Sequence, residues 1–327
     1  MRCILLPNFN EIFNEARALV ANNRGDAYDV TRQKYINLLH NITGRNIIAY
    51  YSGFLTQPAV RETNITDMDK NGFMTVINKM DRSIGLDLIL HTPGGDLAAT
   101  ESLVEYLHMM FGKDIRAIIP QISMSAGTMI ACACKSIVMG KQSSLGPIDP
   151  QLNGLPASGV LEEFERAVEE VGKNPKCMPV WRVILEKYHP TFLGSCEKAI
   201  DWSRDLAQKW LSNNMLSERT DCSKAAAAIV DYLSDHSKTK AHARHIGITE
   251  CERIGLRIEK LEDDNDFQDA VLSVHHAFML SFLNSQAVKI IENHSDTRII
   301  FNANRPNPPT QMSPVRKQTQ NLEPKEE

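Results

Sequence analysis

Short apolar runs alternate with longer helix-like segments from about residue 46 to residue 140, and this pattern constrains the fold more than any other feature. The runs are NIIAYYSGF (46–54), LDLILHT (86–92), IRAIIPQ (115–121) and SIVMG (136–140). Each has the length of a strand and contains β-branched or aromatic residues. They lack a clean apolar–polar alternation, which favours a sheet covered on both faces. The cadence therefore predicts right-handed βαβ units and a mostly parallel sheet in an α/β fold.

The pattern along the 327 residues also predicts a division of the chain. Residues 1–45 are expected to form an N-terminal helical arm that packs on the core or on another subunit. Residues 46–265 are expected to form the α/β domain, with a helical insertion at about 155–240. A C-terminal helical extension is predicted for 266–301, and 302–327 is rich in proline and polar residues, which is typical of a disordered tail.

Composition excludes some classes of function. A formal net charge of −4 provides no basic surface for nucleic acid, so we expect no nucleic-acid partner. No run of about 18 apolar residues is present, so no membrane span is expected. The seven cysteines are scattered without a CxxC pair, which is typical of reduced thiols in a cytosolic protein. We therefore expect a cytoplasmic protein.

Two turns at strand ends contain residues suited to catalysis. Pro93, Gly94 and Gly95 lie between a strand and a helix, where glycine N–H groups either form a plain tight turn or bind an oxyanion. Ser123 and Ser125 begin the next such turn, about 30 residues further on, the length of one βαβ unit. Each serine either caps or packs against the helix, or is exposed as a nucleophile at its start. Two such turns on consecutive parallel strands favour the nucleophile, because ligands gather at the carboxyl edge of these sheets.

Three ordered blocks resemble a known family. They are HTPGGDLAATESLVEYL, PQISMSAGTMIACACKSIVMGKQSSLGPIDPQ and HARHIGITECERIGLRIEKL. They resemble the Clp protease and crotonase superfamily, and within it the serine dehydrogenase proteinase family, which is related to signal peptide peptidase A type enzymes. The resemblance implies a spiral of parallel βαβ units in which residues 46–265 are a peptidase domain, with a polypeptide substrate and a homo-oligomeric assembly. No GxxxxGK[ST] motif is present, so any ATP dependence would have to come from a partner. No cofactor is expected.

The resemblance also implies roles for the two turns. The serine of the family's Ser-x-Gly turn falls on Ser125, whereas Ser123 has no glycine two positions further on. The implied oxyanion hole consists of backbone N–H groups of Gly94, Gly95 and Ala126. The implied chemistry is hydrolysis of peptide bonds through an acyl-enzyme on the serine.

The general base is less directly indicated. The resemblance to Clp-type proteases implies a histidine in the loop GKQSSLGPIDPQ and an aspartate near ERIGLRIEKL, and this chain has neither. A serine–lysine dyad, as in the signal peptide peptidase A relatives, is therefore expected, with a buried lysine that accepts a proton near neutrality. We favour Lys187, which ends an apolar segment beside aromatic residues, with Lys173, Lys198 and His189 as alternatives. Asp149 either orients the base or belongs to an Asp-Pro turn.

Four further histidines raise the question of a metal site, and the fold also allows two other functions. His242, His245, His275 and His276 have no carboxylate or cysteine at metal-ligand spacing, so we predict packed or surface histidines and no metal site. One alternative function is a crotonase-like acyl-CoA enzyme, which would use the same N–H groups to hold an enolate. Another is a catalytically inactive scaffold with the Clp fold.

Overall fold

A computed structural model of the chain describes residues 8–22, 25–235 and 241–303. The segment predicted as a disordered tail, 302–327, lies outside these residues except for Asn302 and Ala303.

A large central sheet confirms the α/β prediction. Its strands are β1 (Asn46–Ser52), β2 (Leu86–His91), β3 (Ile115–Ile119), β5 (Ser136–Met139), β10 (Ile258–Lys260), β11 (Ala287–Asn293) and β12 (Arg298–Asn302). Their spatial order is β10-β5-β3-β2-β1-β11-β12. The first five in this order are parallel, and β11 and β12 are antiparallel additions beside β1. Strands β1, β2 and β5 are buried along their whole length, as a sheet covered on both faces requires.

Two smaller pairings lie beyond the carboxyl ends of the central strands. One is a three-stranded sheet of β4 (Ile122–Ser123), β6 (Ser144–Leu145) and β9 (Ile246–Gly247). The other is the hairpin of β7 (Gln151–Leu152) and β8 (Leu155–Pro156). These short strands hold the loops around the candidate site.

Three helices cover one face of the central sheet: α1 (Phe9–Ala21), α2 (Ala27–Thr43) and α11 (Asn265–Asn284). They pack against one another and share a hydrophobic core with alternate residues of the strands, such as Ile47 and Ala49 of β1. The N-terminal helices therefore pack on the core of their own chain.

The other face is covered by helices that include most of the remaining core. They are α3 (Asp67–Ile77), α4 (Leu97–Phe111), α5 (Ala126–Cys132), α8 (Phe192–Asn213), α9 (Cys222–Ser234) and α10 (Ile248–Ile254). Helices α6 (Ala157–Lys173) and α7 (Met178–Leu185) lie outside this core, and α6 packs against α8. The segment predicted as a helical insertion thus contains α6 to α9, of which α8 and α9 are part of the main core.

The prediction of a helical extension over 266–301 is wrong beyond Asn284. Helix α11 ends there, and β11 and β12 follow. The apolar run AVKIIEN at 287–293 is consistent with either a helix or a strand when taken alone. The open edge of β1 supplies backbone partners along this run, from Ile48 with Asn293 to Ser52 with Lys289, and these hydrogen bonds favour the strand.

A buried carboxylate joins the amino ends of three central strands. Asp87 of β2 is fully buried and pairs with Arg45, just before β1, at 2.7 Å and with Arg116 of β3 at 2.7 Å. Both guanidinium groups are largely buried. Removing the carboxylate leaves two cations without their shared partner, which is costly in a low-dielectric site.

We expect Asp87→Asn to lower the free energy of unfolding by about 3 kcal/mol, because Arg45 and Arg116 lose a fully buried counter-charge and keep only the partly exposed carboxylates of Asp114 and Glu259. Urea denaturation measures this loss. The matched control is Asp221→Asn, which removes an exposed ion pair with Arg219 and should leave stability nearly unchanged. Equal losses in the two variants would contradict the prediction.

Candidate active site

Ser125 lies in a strained turn between β4 and α5. Its backbone has φ 50° and ψ −117°, a conformation that L residues rarely adopt and that costs about 1–3 kcal/mol. Met124 and Ala126 on either side are buried, whereas Ser125 is partly exposed. The turn therefore presents one hydroxyl at the start of a buried helix, as a nucleophile requires.

Ser123 has a different environment. Its side chain is fully buried, and its Oγ has no hydrogen-bond partner in the part of the chain that the structure describes. A Cβ at Gly127 would lie 2.4 Å from this oxygen, so the hydroxyl of Ser123 is enclosed by the backbone at the start of α5. Ser125, unlike Ser123, lines the cavity described below.

The glycine turn after β2 is in contact with the Ser125 turn. Gly94 has φ 97°, and a Cβ there would lie 2.8 Å from the carbonyl oxygen of Met124, 2.8 Å from Ser125 Cβ and 3.0 Å from Ala126 N. Both the backbone conformation and the lack of space require glycine at this position. The pairing of β2 with β3 therefore brings the two predicted turns together.

Two backbone donors around this contact are unpaired. The N–H of Gly94 donates to Thr92 Oγ1 at 3.2 Å. Within the described residues, the N–H groups of Gly95 and Ala126 donate to no acceptor. Unpaired N–H groups beside a strained serine are the arrangement that stabilises an oxyanion. Of the three predicted donors, Gly95 and Ala126 are thus free to act and Gly94 is engaged.

A cavity of about 1170 Å³ opens beside the two turns. Its walls are the Gly94–Gly95 turn, the Ser125 turn, the β7–β8 hairpin, α8 and the segment that contains His242. Trp202 of α8 forms part of this wall, and its Nε1–H donates to Glu101 Oε2 on α4 at 3.1 Å. The cavity is large enough for several residues of an extended peptide.

A buried aspartate holds a histidine in this cavity. His242 lines the cavity together with Ser125, and its Nδ1 lies 2.9 Å from Asp149 Oδ1. Asp149 is buried, so the carboxylate interacts with the ring in a low-dielectric site. A carboxylate only accepts hydrogen bonds, so Nδ1 donates and Nε2 is the nitrogen left for chemistry. The pairing of β6 with β9 brings these two loops together, since Leu145 faces Ile246.

The predicted bases lie elsewhere. Lys173, Lys187, Lys198 and His189 are exposed, and none of them lines the cavity. Lys173 pairs with Glu169 at 3.3 Å, and His189 Nδ1 contacts Thr191 Oγ1 at 3.0 Å. The apolar run before Lys187 is largely exposed on the outer layer, at Val180 and Val183 among others. Apolar composition alone therefore did not indicate burial.

The local sequence indicates an orienting role for Asp149, but for His242 it predicts only a packed or surface histidine. The sequence does contain a signal for His242 as a site residue, because it begins the third motif block HARHIGITECERIGLRIEKL. Asp149 lies in the loop where Clp-type enzymes were expected to have their histidine. In this structure that loop supplies the carboxylate of Asp149, and the third motif block supplies His242.

Two buried thiols near the serine turn are unreactive. Burial raises the pKa of Cys132 to about 12, and it also raises the pKa of Cys134. Both thiols stay protonated at neutral pH and pack inside or next to α5. Neither thiol is therefore a candidate nucleophile.

We expect Gly94→Ala to reduce the free energy of unfolding by about 3 kcal/mol, because it adds a steric clash to an unfavourable φ. The control is Gly44→Ala, in the left-handed helical conformation at φ 65° and ψ 12° with nothing within 4 Å of the new Cβ. That variant should lose only about 1 kcal/mol from the backbone conformation. Chemical denaturation of both proteins tests the difference, and similar losses would refute the close contact of the two turns.

Comparison with known proteins gives one family match and two related sequences. A family model described as ClpP-like SDH-type serine proteinase matches residues 24–261. Uncharacterized protein MJ1495 of Methanocaldococcus jannaschii is 37% identical over 107 residues, which are 33% of this chain and 36% of the relative. Uncharacterized protein MJ0137 of the same organism is 36% identical over 110 residues, 34% of this chain and 37% of the relative. The chain thus spans just over a third of the length of these curated relatives.

Among the described helices, none has the length and apolar character needed to cross a membrane.

Proposed function

We propose that this chain, which belongs to the family of ClpP-like SDH-type serine proteinases, hydrolyses peptide bonds through an acyl-enzyme on Ser125. Membership confirms the resemblance found in the sequence, because the matched residues 24–261 include all three motif blocks. The observation that carries the proposal is the contact between the strained Ser125 turn and the Gly94–Gly95 turn. It brings the partly exposed Ser125 and the unpaired N–H groups of Gly95 and Ala126 to the wall of one cavity.

In the proposed mechanism, His242 is the general base. Its Nε2 accepts the proton of Ser125 as Oγ attacks the carbonyl carbon of the scissile peptide bond. His242 then donates this proton to the leaving amine as the C–N bond breaks. In the second half of the reaction His242 accepts a proton from water as the water oxygen attacks the acyl carbon, and it returns this proton to Ser125 Oγ as the ester bond breaks and the acid product leaves. Asp149 accepts the Nδ1–H of His242, orients the ring and stabilises its cationic form. The shared cavity and the 2.9 Å contact support these roles.

The N–H groups of Gly95 and Ala126 are the proposed oxyanion hole. Negative charge moves to the substrate oxygen in the tetrahedral intermediate, and fixed donors stabilise that charge without reorganisation. A single such donor contributes about 3–4 kcal/mol to the transition state. Position 95 requires glycine because a Cβ there would lie 2.3 Å from Ile65 N.

Histidine is favoured over lysine as the base. Within the described part of the chain, no lysine lines the cavity, whereas His242 does and is held by a buried carboxylate. The serine–lysine dyad expected from the sequence is therefore replaced in this proposal by Ser125, His242 and Asp149. We further propose that the substrate is a polypeptide and that the protein acts as a homo-oligomer in the cytoplasm, as expected for a Clp-like peptidase.

The first test replaces the nucleophile. Ser125→Ala should abolish labelling by a fluorophosphonate and lower kcat on an unfolded protein substrate by at least about 10³-fold. Ser123→Ala is the matched control and should retain both properties, because its buried hydroxyl makes no hydrogen bond within the described structure. Thioester turnover by the Ser125→Ala protein would favour an acyl-CoA enzyme, and wild-type protein without label would favour an inactive scaffold.

A second test identifies the base. His242→Gln and Asp149→Asn should each lower kcat by about 10³- to 10⁴-fold, since the proton acceptor or its orientation is lost. Lys187→Met is the control and should leave kcat unchanged, because that side chain is exposed and outside the cavity. Steady-state kinetics at constant pH measures all three. Loss of activity in Lys187→Met with activity retained in His242→Gln would reverse the assignment.

A further inference from the structure

A buried lysine lies behind the glycine turn. Lys289 of β11 is 2% exposed, and its Nζ donates to both carboxylate oxygens of Asp69 at 2.7 and 2.9 Å. Asp69 of α3 is fully buried. Burial lowers the pKa of Lys289, and the carboxylate of Asp69 acts in the opposite direction. A buried ion pair contributes little net stability compared with apolar residues, so its presence at this place calls for a physical reason.

The pair contacts the backbone on both sides of Ile65. Lys289 Nζ also donates to the carbonyl oxygen of Asn64 at 2.6 Å. Asp69 Oδ2 accepts from the N–H of Thr66 at 2.8 Å and from the hydroxyl of Tyr50 at 3.1 Å. The peptide groups before and after Ile65 are therefore each held by one member of the ion pair.

Ile65 in turn holds the glycine turn. Its N–H donates to the carbonyl oxygen of Gly94 at 2.8 Å, and its carbonyl oxygen accepts from the N–H of Asp96 at 3.0 Å. These two bonds enclose Gly95, and a Cβ on Gly95 would lie only 2.3 Å from Ile65 N. The position of the Gly95 peptide group thus depends directly on the backbone of Ile65.

We propose that Lys289 and Asp69 are positioning residues of the oxyanion hole, which fix the backbone of Ile65 and through it the N–H of Gly95. The inference rests on the proposed function, because it concerns a donor of that site. A donor acts on the transition state only if it is held in place before the reaction. Loss of the pair should therefore affect kcat more than KM.

The same strand provides a matched control. Glu292 of β11 forms a second buried ion pair with Arg32 of α2 at 2.6 Å. Lys289 and Glu292 are an odd number of residues apart, so their side chains lie on opposite faces of the sheet. The Arg32–Glu292 pair lies on the face covered by α2 and α11, where Arg32 also donates to Ser281. Within the described residues, no hydrogen bond or ion pair of Arg32 or Glu292 involves the glycine turn.

The experiment compares two double variants, Lys289→Met/Asp69→Asn and Arg32→Met/Glu292→Gln. Replacing both partners avoids leaving a lone buried charge in either protein. We expect the first to lose at least about tenfold in kcat and in the rate of fluorophosphonate labelling, with KM changed less than about twofold. The control should retain wild-type kcat per folded molecule. Equal kcat values in the two variants would overturn the inference.

A smaller change covers the case in which the first double variant does not fold. Asp69→Asn keeps an acceptor oxygen for the N–H of Thr66 but removes the carboxylate that binds Lys289. Without that carboxylate, burial favours the neutral amine of Lys289, so no lone charge has to stay buried. We expect it to lose about threefold in kcat, again without a matching change in KM. An unchanged kcat in a folded Asp69→Asn protein would count against the positioning role.

Hydrogen exchange separates this inference from the proposed function. In the Lys289→Met/Asp69→Asn protein and in the Asp69→Asn protein, the amides of Ile65 and Asp96 should exchange at least about tenfold faster than in wild type. The Arg32→Met/Glu292→Gln control should leave their exchange rates unchanged. This readout does not need catalysis. A wild-type protein that neither reacts with the fluorophosphonate nor hydrolyses the protein substrate would refute the proposed peptidase function. An active wild-type protein whose variants show unaltered amide exchange would refute the positioning role alone.

Discussion

The backbone contact between β2 and the Ser125 turn is the constraint on which the candidate site depends. Beyond the sheet itself, Thr92 N–H donates to Ile122 at 3.3 Å, and Met124 N–H donates to Thr92 at 3.0 Å. These bonds extend the parallel pairing into the loops and hold the two turns together. The strained φ of Ser125 and the required glycine at 94 both follow from this close approach.

Strand β11 connects the site to the rest of the core. One of its faces supplies Lys289 behind the glycine turn, and the other supplies Glu292 beneath the N-terminal helices. Because side chains alternate along a strand, a single segment can support two separate buried ion pairs. Strand β11 thus extends the parallel sheet at β1 and also supports the glycine turn from behind through Lys289.

The proposed base comes from a different kind of contact. Asp149 and His242 are separated by 93 residues along the chain, and helices α6 to α9 lie between them. The short pairing of β6 with β9 brings their loops together at the cavity. Lys187 ends an apolar segment, a local composition that favours burial. It lies just after α7, however, and Val180 and Val183 of that helix are exposed.

The sequence by itself determined the fold class, the family and the two turns that contain Ser125 and the Gly94–Gly95 pair. Strand periodicity and turn chemistry are local properties, and consecutive parallel strands bring their turns to one edge of the sheet. Only the tertiary structure decided that 287–293 is a strand, that Lys289 is buried and that His242 meets Asp149. Each of these depends on contacts between residues far apart in the chain, and burial and pairing at such distances are not encoded in the local pattern of apolar and polar residues.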